Sequence, residues 1–190
     1  DSSAESSEGS AEAYNLLLQS RFLLRRGSAE DRRKAEEILQ QAIELDPNSA
    51  NLWAELGLAH MRMAFVSQTN AEFEEALGRA QRAQEHALEL DPSLATAHSR
   101  LAWIHQQRLD IEAANEATQK ALALAPNNTV VLGNAAGNAL LRGRVDEAIA
   151  LDLRVLEIDP LDLTVYFNLG YHYYVANRLD DAERMYEKLH

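Results

Sequence analysis

Histidines and paired carboxylates are the side chains of this sequence best suited to chemistry, as metal ligands or as acid and base catalysts. His98 and His105 are seven residues apart, a spacing that places them on one face of a helix. A metal site needs three or four converging ligands in an open geometry, which two histidines do not supply. Adjacent acids such as Glu36 and Glu37 point in different directions on a helix and are typical of a solvated surface. The sequence therefore predicts no metal and no cofactor.

Motifs of the common enzyme classes are also missing. The sequence has no phosphate-binding glycine loop, no nucleophile elbow and no Rossmann glycine pattern. It contains no cysteine, which excludes disulfides, thiolate metal sites and a cysteine nucleophile. We therefore expect a protein that is not an enzyme. The lack of cysteine suits a cytoplasmic and a periplasmic location equally, so the localisation stays open.

The elements that would position any functional residue are helices. Glycine (8) and proline (4) are scarce among the 190 residues, whereas alanine, leucine, glutamate and glutamine recur throughout. The net charge of −12, without a basic stripe to offset it, would repel a phosphate backbone and argues against nucleic-acid binding. No stretch approaches the roughly 18 apolar residues of a membrane span. The composition thus predicts an all-α protein without direct membrane insertion.

One short sequence motif occurs four times along the chain: two aliphatic residues separated by one position, then Asp or Ala, then proline. The copies span residues 43–47, 88–92, 122–126 and 156–160, and their prolines are separated by 45, 34 and 34 residues. Each proline predicts the end of a helix followed by a turn. Polar residues close behind the prolines are candidate N-caps of the next helix, namely Ser49, Ser93, Asn128 and Asp162. The chain is therefore predicted to consist of repeated helix pairs.

At this point the chain resembles the tetratricopeptide repeat (TPR) family, whose unit of about 34 residues carries W-x2-L-G-x2-Y in its first helix and A-x3-F in its second. Residues 53–60 and 166–173 are close copies of the first-helix motif. The second-helix alanine recurs as Ala35, Ala80, Ala114, Ala148 and Ala182. A small first-helix residue recurs as Gly57, Ala102, Ala136 and Gly170. The resemblance implies an all-α, TPR-like right-handed superhelix of about five antiparallel helix pairs, which is an α-solenoid.

The chain also departs from the family pattern. The second-helix aromatic is Tyr186 in the last unit, but the earlier units have Leu39, Gln84, Thr118 and Asp152 there, so we expect their packing to be filled differently. A further departure is the turn at Leu109, where the family often has glycine, as Gly143 provides in the next unit. The second unit has eleven additional residues before Pro92, which predicts two lengthened helices, the second capped by Thr69 or Asn70.

The chain divides into a linker and an array. Residues 1–10 are a serine and acid tract, which we expect to be a disordered linker. Residues 11–190 form the array, with units of about 11–49, 50–94, 95–128, 129–162 and 163–190, the last incomplete. The register of the first unit stays open, since Tyr14 or Leu16 can lead it. The long turn around Gly27 resembles one in TPR modules of bacterial adenylate cyclases and winged-helix signalling regulators, which implies a scaffolding or sensory part of a larger bacterial protein.

The resemblance also implies a concave groove lined by the first helix of each unit. The family's groove positions correspond here to Glu55, Arg62, Arg100, Trp103, Gln107, Asn134, Leu141, Phe167, Asn168, Tyr171 and Tyr174. Rigid aromatic side chains of this kind dominate binding hot spots, and the two asparagines could hold a peptide backbone. The resemblance thus predicts a module that binds a protein or peptide segment in its groove. The simpler alternative for the aromatics is packing against neighbouring helices.

A second hypothesis assigns the chain a structural role. Met185, Tyr186 and Leu189 belong to the last helix, and no following unit covers them in this sequence. Such a face could pair with a second copy of the chain. The alternative function is therefore a self-assembly segment that forms a homo-oligomer through these three residues.

Overall fold

A computed structural model describes the backbone of residues 2–189 and the side chains of residues 9–189. All regular secondary structure in that part of the chain is helical, and the prediction of an all-α fold is confirmed. The helices are α1 (Ser2–Arg26), α2 (Ala29–Leu45), α3 (Ala50–Ala64), α4 (Asn70–Leu90), α5 (Ala95–Gln107), α6 (Ile111–Leu124), α7 (Thr129–Leu141), α8 (Val145–Ile158), α9 (Leu163–Val175) and α10 (Leu179–Glu187).

The helices group into two compact units, one up to Ala97 and the other from His98. In the first unit α1 packs on α2, α2 on α3, and α3 on α4. In the second unit α6 packs on α7, α7 on α8, α8 on α9, and α9 on α10. These helices thus contact mainly their neighbours in sequence, as expected of stacked helix pairs.

N-cap residues determine where several of the helices begin. The side chain of Asn128 accepts hydrogen bonds from the first free N–H groups of α7, and Asp162 does the same for α9. Ser49 lies at the N-cap of α3 but makes no capping bond with its side chain. The prediction is wrong for Ser93, whose hydroxyl donates to Asp91 at 2.7 Å, because α5 begins two residues later.

The predicted lengthening of the second helix pair is confirmed. α3 has 15 residues and α4 has 21, whereas α7 and α9 have 13 each. Thr69 caps α4 by accepting from the N–H of Glu72, and the Glu72 carboxylate accepts from the N–H of Thr69, both at 3.2 Å. This reciprocal pair is a capping box, which fixes where the extended helix begins.

The first helix is longer than the composition predicts. α1 begins at Ser2 and therefore runs through residues 2–10, which we expected to be a linker. A helix extends at small free-energy cost once a packed segment has nucleated it, and alanine and glutamate in this stretch are good helix formers. Ala13, Leu17 and Leu24 anchor the remainder of α1 in the core of the first unit.

Gln84 fills the place of the family's second-helix aromatic in the second repeat. The Gln84 side chain is fully buried and its Nε2 donates to the carbonyl of Ala54 at 2.9 Å. A Cβ atom at Gly57 would lie only 2.1 Å from that Nε2, so the glycine provides the space for the amide. The close approach of α3 and α4 thus rests on a hydrogen bond to the backbone.

Asp152 and Thr118 occupy the position of the second-helix aromatic in two other repeats, and each makes a different contact there. Asp152 is fully buried in α8, and its Oδ2 lies 2.8 Å from Nδ1 of the buried His172 in α9. Burial raises the pKa of Asp152, although the contact with His172 acts in the opposite direction. The Thr118 hydroxyl donates to the carbonyl of Ala114 one turn earlier, at 2.7 Å. The expectation that the middle units pack without an aromatic at this position is confirmed.

Four of the five turns between paired helices contain a residue with a left-handed backbone. Gly27, Leu109, Gly143 and Asn177 all have positive φ, at 75°, 58°, 73° and 58°. Only glycine adopts this conformation without a steric cost, and asparagine tolerates it better than leucine. Leu109 therefore carries local strain that Gly143, at the equivalent turn, avoids.

Candidate functional site

An exposed row of aromatic side chains lies along α9. Phe167, Tyr171 and Tyr174 follow a spacing of four and three residues, which places them on one face of the helix. They are 57%, 48% and 63% exposed, respectively. The opposite side of α9 is also apolar, with Leu169 and Tyr173 buried in the core of the second unit. We call the three exposed residues the α9 aromatic face.

The aromatic face continues onto α10 through Tyr186. A Cβ atom at Gly170 would lie 2.4 Å from Cε1 of Tyr186, so the ring occupies the space that a side chain at this position would take. The ring centroids of Phe167 and Tyr186 are 6.1 Å apart, within the range of aromatic pairs. The second-helix aromatic thus joins the two helices of the last pair.

A shallow cavity of about 380 Å³ lies between the same two helices. It is lined by Tyr174, Leu179, Ala182, Glu183, Tyr186 and Glu187. The sequence predicted the groove aromatics and the terminal face as separate surfaces. In the structure they adjoin, because Tyr174 and Tyr186 line one cavity. Met185 on α10 and Leu189, two residues after the end of α10, are half-buried.

Other predicted groove residues of the second unit differ in accessibility. The Asn134 amide donates to Oγ of Ser99 at 2.8 Å, so it already serves to join α7 to α5. Arg100 is only 7% exposed and presents little surface to a ligand. Leu141 and Gln107 are exposed, whereas Trp103 and Asn168 are half-buried. Among the predicted groove residues of this unit, the exposed aromatic side chains are therefore those of α9.

The predicted groove residues of the first unit are engaged within the protein. Glu55 is 6% exposed, and its Oε2 lies 3.3 Å from Nε of Arg21 in α1. Arg62 is half-buried and donates to the carbonyl of Leu24. A buried charge requires a partner, and α1 supplies it for both side chains. These two residues hold α3 against α1 and offer little surface to a ligand.

A further cavity in the first unit involves residues that the sequence analysis did not predict. It has a volume of about 540 Å³ and opens between the first turn of α2, the last turns of α3 and the first turns of α4. Its wall includes Arg32, Arg33, His60 and Arg79. The eleven-residue insertion was the available signal, because it extends α4 past the ordinary repeat and creates one wall.

Two other classes of site lack structural support in the described residues. No group of three or more His, Asp or Glu side chains among them is arranged to hold a metal ion. None of the helices in that part of the chain combines the length and apolar character needed to cross a bilayer.

Comparison with known proteins gives one family match and many similar folds. Residues 27–49 match the family model described as tetratricopeptide repeat. Curated protein sequences give no match. TTC0263, a thermophilic TPR protein of Thermus thermophilus, is 21% identical with a TM-score of 0.72, over 84% of this chain and 80% of that one.

Two further solved structures show the same likeness. PilF of Pseudomonas aeruginosa is 18% identical with a TM-score of 0.68, over 96% of this chain and 77% of that one. The structure of the APC/C hetero-tetramer Cut9–Hcn1 includes a chain that is 18% identical with a TM-score of 0.70, over 93% of this chain and 36% of that one. At these identities the likeness concerns the fold. Residues 27–49 thus match a tetratricopeptide repeat, and the chain shares an all-α, TPR-like fold with these solved structures.

Proposed function

We propose that this chain is a protein-interaction module that binds a peptide or protein segment through the α9 aromatic face. The TPR fold is typical of such modules, and nothing in the sequence indicates catalysis. The observation that carries the proposal is the half-exposed row of Phe167, Tyr171 and Tyr174 beside a cavity. Aromatic side chains bury a large area at a small cost in rotamer entropy, so they are effective anchors. Following the family resemblance, we place this module in a scaffolding or sensory part of a larger bacterial protein.

The chemistry of the cavity suggests the kind of segment that fits. Tyr174, Leu179 and Tyr186 offer apolar contact for one large side chain of the ligand, whereas Glu183 and Glu187 add negative charge to the lining. The chain as a whole has a net charge of −12, which favours encounter with a basic partner. We therefore propose a ligand with an aromatic or large aliphatic anchor next to lysine or arginine.

Peptide phage display on the purified chain tests this proposal. Selected peptides should share the apolar anchor and the adjacent basic residue, and their affinity is then measured by fluorescence anisotropy. Tyr174→Ala should weaken binding by about 2 kcal/mol, since central aromatic anchors typically contribute that much. Tyr14→Ala is a matched control, because Tyr14 is also an exposed aromatic, at 58%, but lies on α1. Equal affinity for the wild type and the Tyr174→Ala variant would contradict the proposal.

Self-assembly is a second candidate function, favoured by the position of α10. Met185, Tyr186 and Leu189 retain some exposure beside the α9 aromatic face, so a second copy could cover both helices. Sedimentation equilibrium over a range of concentrations tests for this association. A dimer that dissociates in the Met185→Glu variant would favour self-assembly. A monomer at all concentrations would exclude it.

A further inference from the structure

The cavity of the first unit has the features of a binding site for a small molecule. We propose that it binds a small organic anion, a carboxylate with a short apolar tail, between α2 and α4. This site is separate from the α9 aromatic face and does not depend on it. A volume of about 540 Å³ is in the range of pockets that hold small ligands, which is roughly 300–1,000 Å³.

The lengthened helices create the cavity. α2 and α4 both pack on α3, and the first turns of α4 extend beyond the ordinary repeat length. Glu72 and Ala76 on this extension line the cavity together with the first turn of α2 and with His60 and Met63 of α3. An ordinary repeat without the insertion would lack the α4 wall.

Two arginines supply the charge for an anion. Among the residues that the structure describes, neither Arg32 nor Arg33 has a carboxylate partner. Two acids also line the cavity: Glu72 is occupied in the capping box, where it accepts from the N–H groups of Gln68 and Thr69 at 2.8 and 3.2 Å, and Glu75 leaves an excess of positive charge in the lining. A guanidinium group matches the planar geometry of a carboxylate and binds it through two parallel hydrogen bonds. The two arginines are therefore available for an oxyanion.

The buried imidazole of His60 is a neutral polar group in the lining of the cavity. Burial is the largest cause that lowers the pKa of His60, to about 4, and the charges of Arg79 and Arg82 lower it further. His60 is thus neutral at pH 7. Its Nδ1 is buried and has no hydrogen-bond partner, since the nearest carboxylate oxygen, of Glu36, is 3.8 Å away. Of the causes that lower the pKa of His60, only the positive charge of Arg79 also favours an anion in the cavity, since Arg79 is part of its lining.

One part of the cavity wall is apolar and consists of Ala29, Met63, Val66 and Ala76, whereas Ser67, Gln68 and Glu75 add polar groups to the lining. The apolar part would gain little from a bare inorganic ion but would exclude water from a short hydrocarbon tail. The arginines and this wall together select an amphipathic carboxylate.

Titration with hexanoate, followed by calorimetry and by the NMR signals of the His60 ring, tests the proposal. We expect saturable binding at pH 7 and a change in the chemical shifts of the His60 ring, because the anion binds in the cavity that His60 lines. Arg32→Gln and Arg33→Gln should each weaken binding by about tenfold through the loss of a charged hydrogen bond. Lys34→Gln is the matched control, since Lys34 is a neighbouring cation on α2 that does not line the cavity. It should bind hexanoate as tightly as the wild type.

Four results would overturn the proposal. If hexanoate shows no saturable binding, the site is excluded. If hexan-1-ol binds with the same affinity as hexanoate, a role for the anionic group is excluded. Binding of inorganic phosphate without binding of hexanoate would exclude the apolar tail. Equal weakening in the Lys34→Gln and Arg33→Gln variants would show only a general effect of surface charge.

Discussion

The contact between Gly170 and Tyr186 leads to a prediction that separates packing from helix propensity. Alanine at position 170 would place its Cβ 2.4 Å from Cε1 and 2.7 Å from Cζ of the Tyr186 ring. Atoms cannot remain at such distances, so either the ring or α10 must move. Because Tyr186 also contacts Phe167, a displaced ring would disturb the α9 aromatic face as well.

The expected magnitude is the difference between two opposing effects. Overpacking of a close contact typically costs about 1–3 kcal/mol. Alanine in the middle of a helix is more favourable than glycine by roughly 0.5–1 kcal/mol. Gly170→Ala should therefore lower the free energy of unfolding by about 1–2 kcal/mol.

Gly133→Ala is the matched control for the backbone effect. Gly133 lies within α7, and a Cβ there would meet no atom within 4 Å. The substitution should therefore stabilise the protein by about 0.5–1 kcal/mol, which is the propensity difference alone. Urea unfolding followed by circular dichroism measures both variants, with midpoints compared because repeat proteins can depart from two-state behaviour.

A double-mutant cycle completes the experiment. In a Tyr186→Ala background the clash is absent, so Gly170→Ala should change from destabilising to stabilising by about 0.5–1 kcal/mol. If Gly170→Ala destabilises the protein equally with and without the Tyr186 ring, the close contact is not the reason for glycine at this position.

Three further predictions concern stability. Leu109→Gly should stabilise the protein by about 0.5–1 kcal/mol, because it removes a leucine that is 72% exposed and has a left-handed backbone. Leu109→Ala keeps the strain and should not stabilise the protein, and thermal unfolding of the two variants checks this. The free energy of unfolding should fall by roughly 3 kcal/mol as the pH drops from 6.5 to about 4, because His60 is protonated in the unfolded chain but stays neutral in the folded one. Urea unfolding at several pH values should show a smaller dependence of this free energy on pH for His60→Gln. Asp152→Ala should cost about 3 kcal/mol by leaving buried His172 without its partner, and the double variant Asp152→Ala/His172→Ala should cost less than the two single changes together, as measured by urea unfolding.

Local sequence signals determined the helical repeat. The proline-containing motifs and the capping residues Asn128 and Asp162 act within a few residues of each helix end, so they could be located without a structure. The starts of α3, α5, α7 and α9 coincide with the first residues of the units drawn from the 34-residue period. The positive φ at Leu109 could not be inferred so directly, because its side chain type argues against that conformation.

The accessibility of the candidate site depended on tertiary packing. Helical periodicity and the family's groove positions placed Glu55 and Tyr171 in the same class, yet Glu55 is buried against Arg21 of α1 and Tyr171 is half-exposed. Which member of a face is covered depends on side chains more than thirty residues away, which a local pattern does not contain. The cavity at His60 has the same origin, since its walls come from three helices and its volume from the excess length of one of them. Spacing along the chain thus determined which residues share a helix face, while the packing of neighbouring helices decided which of those faces remain open.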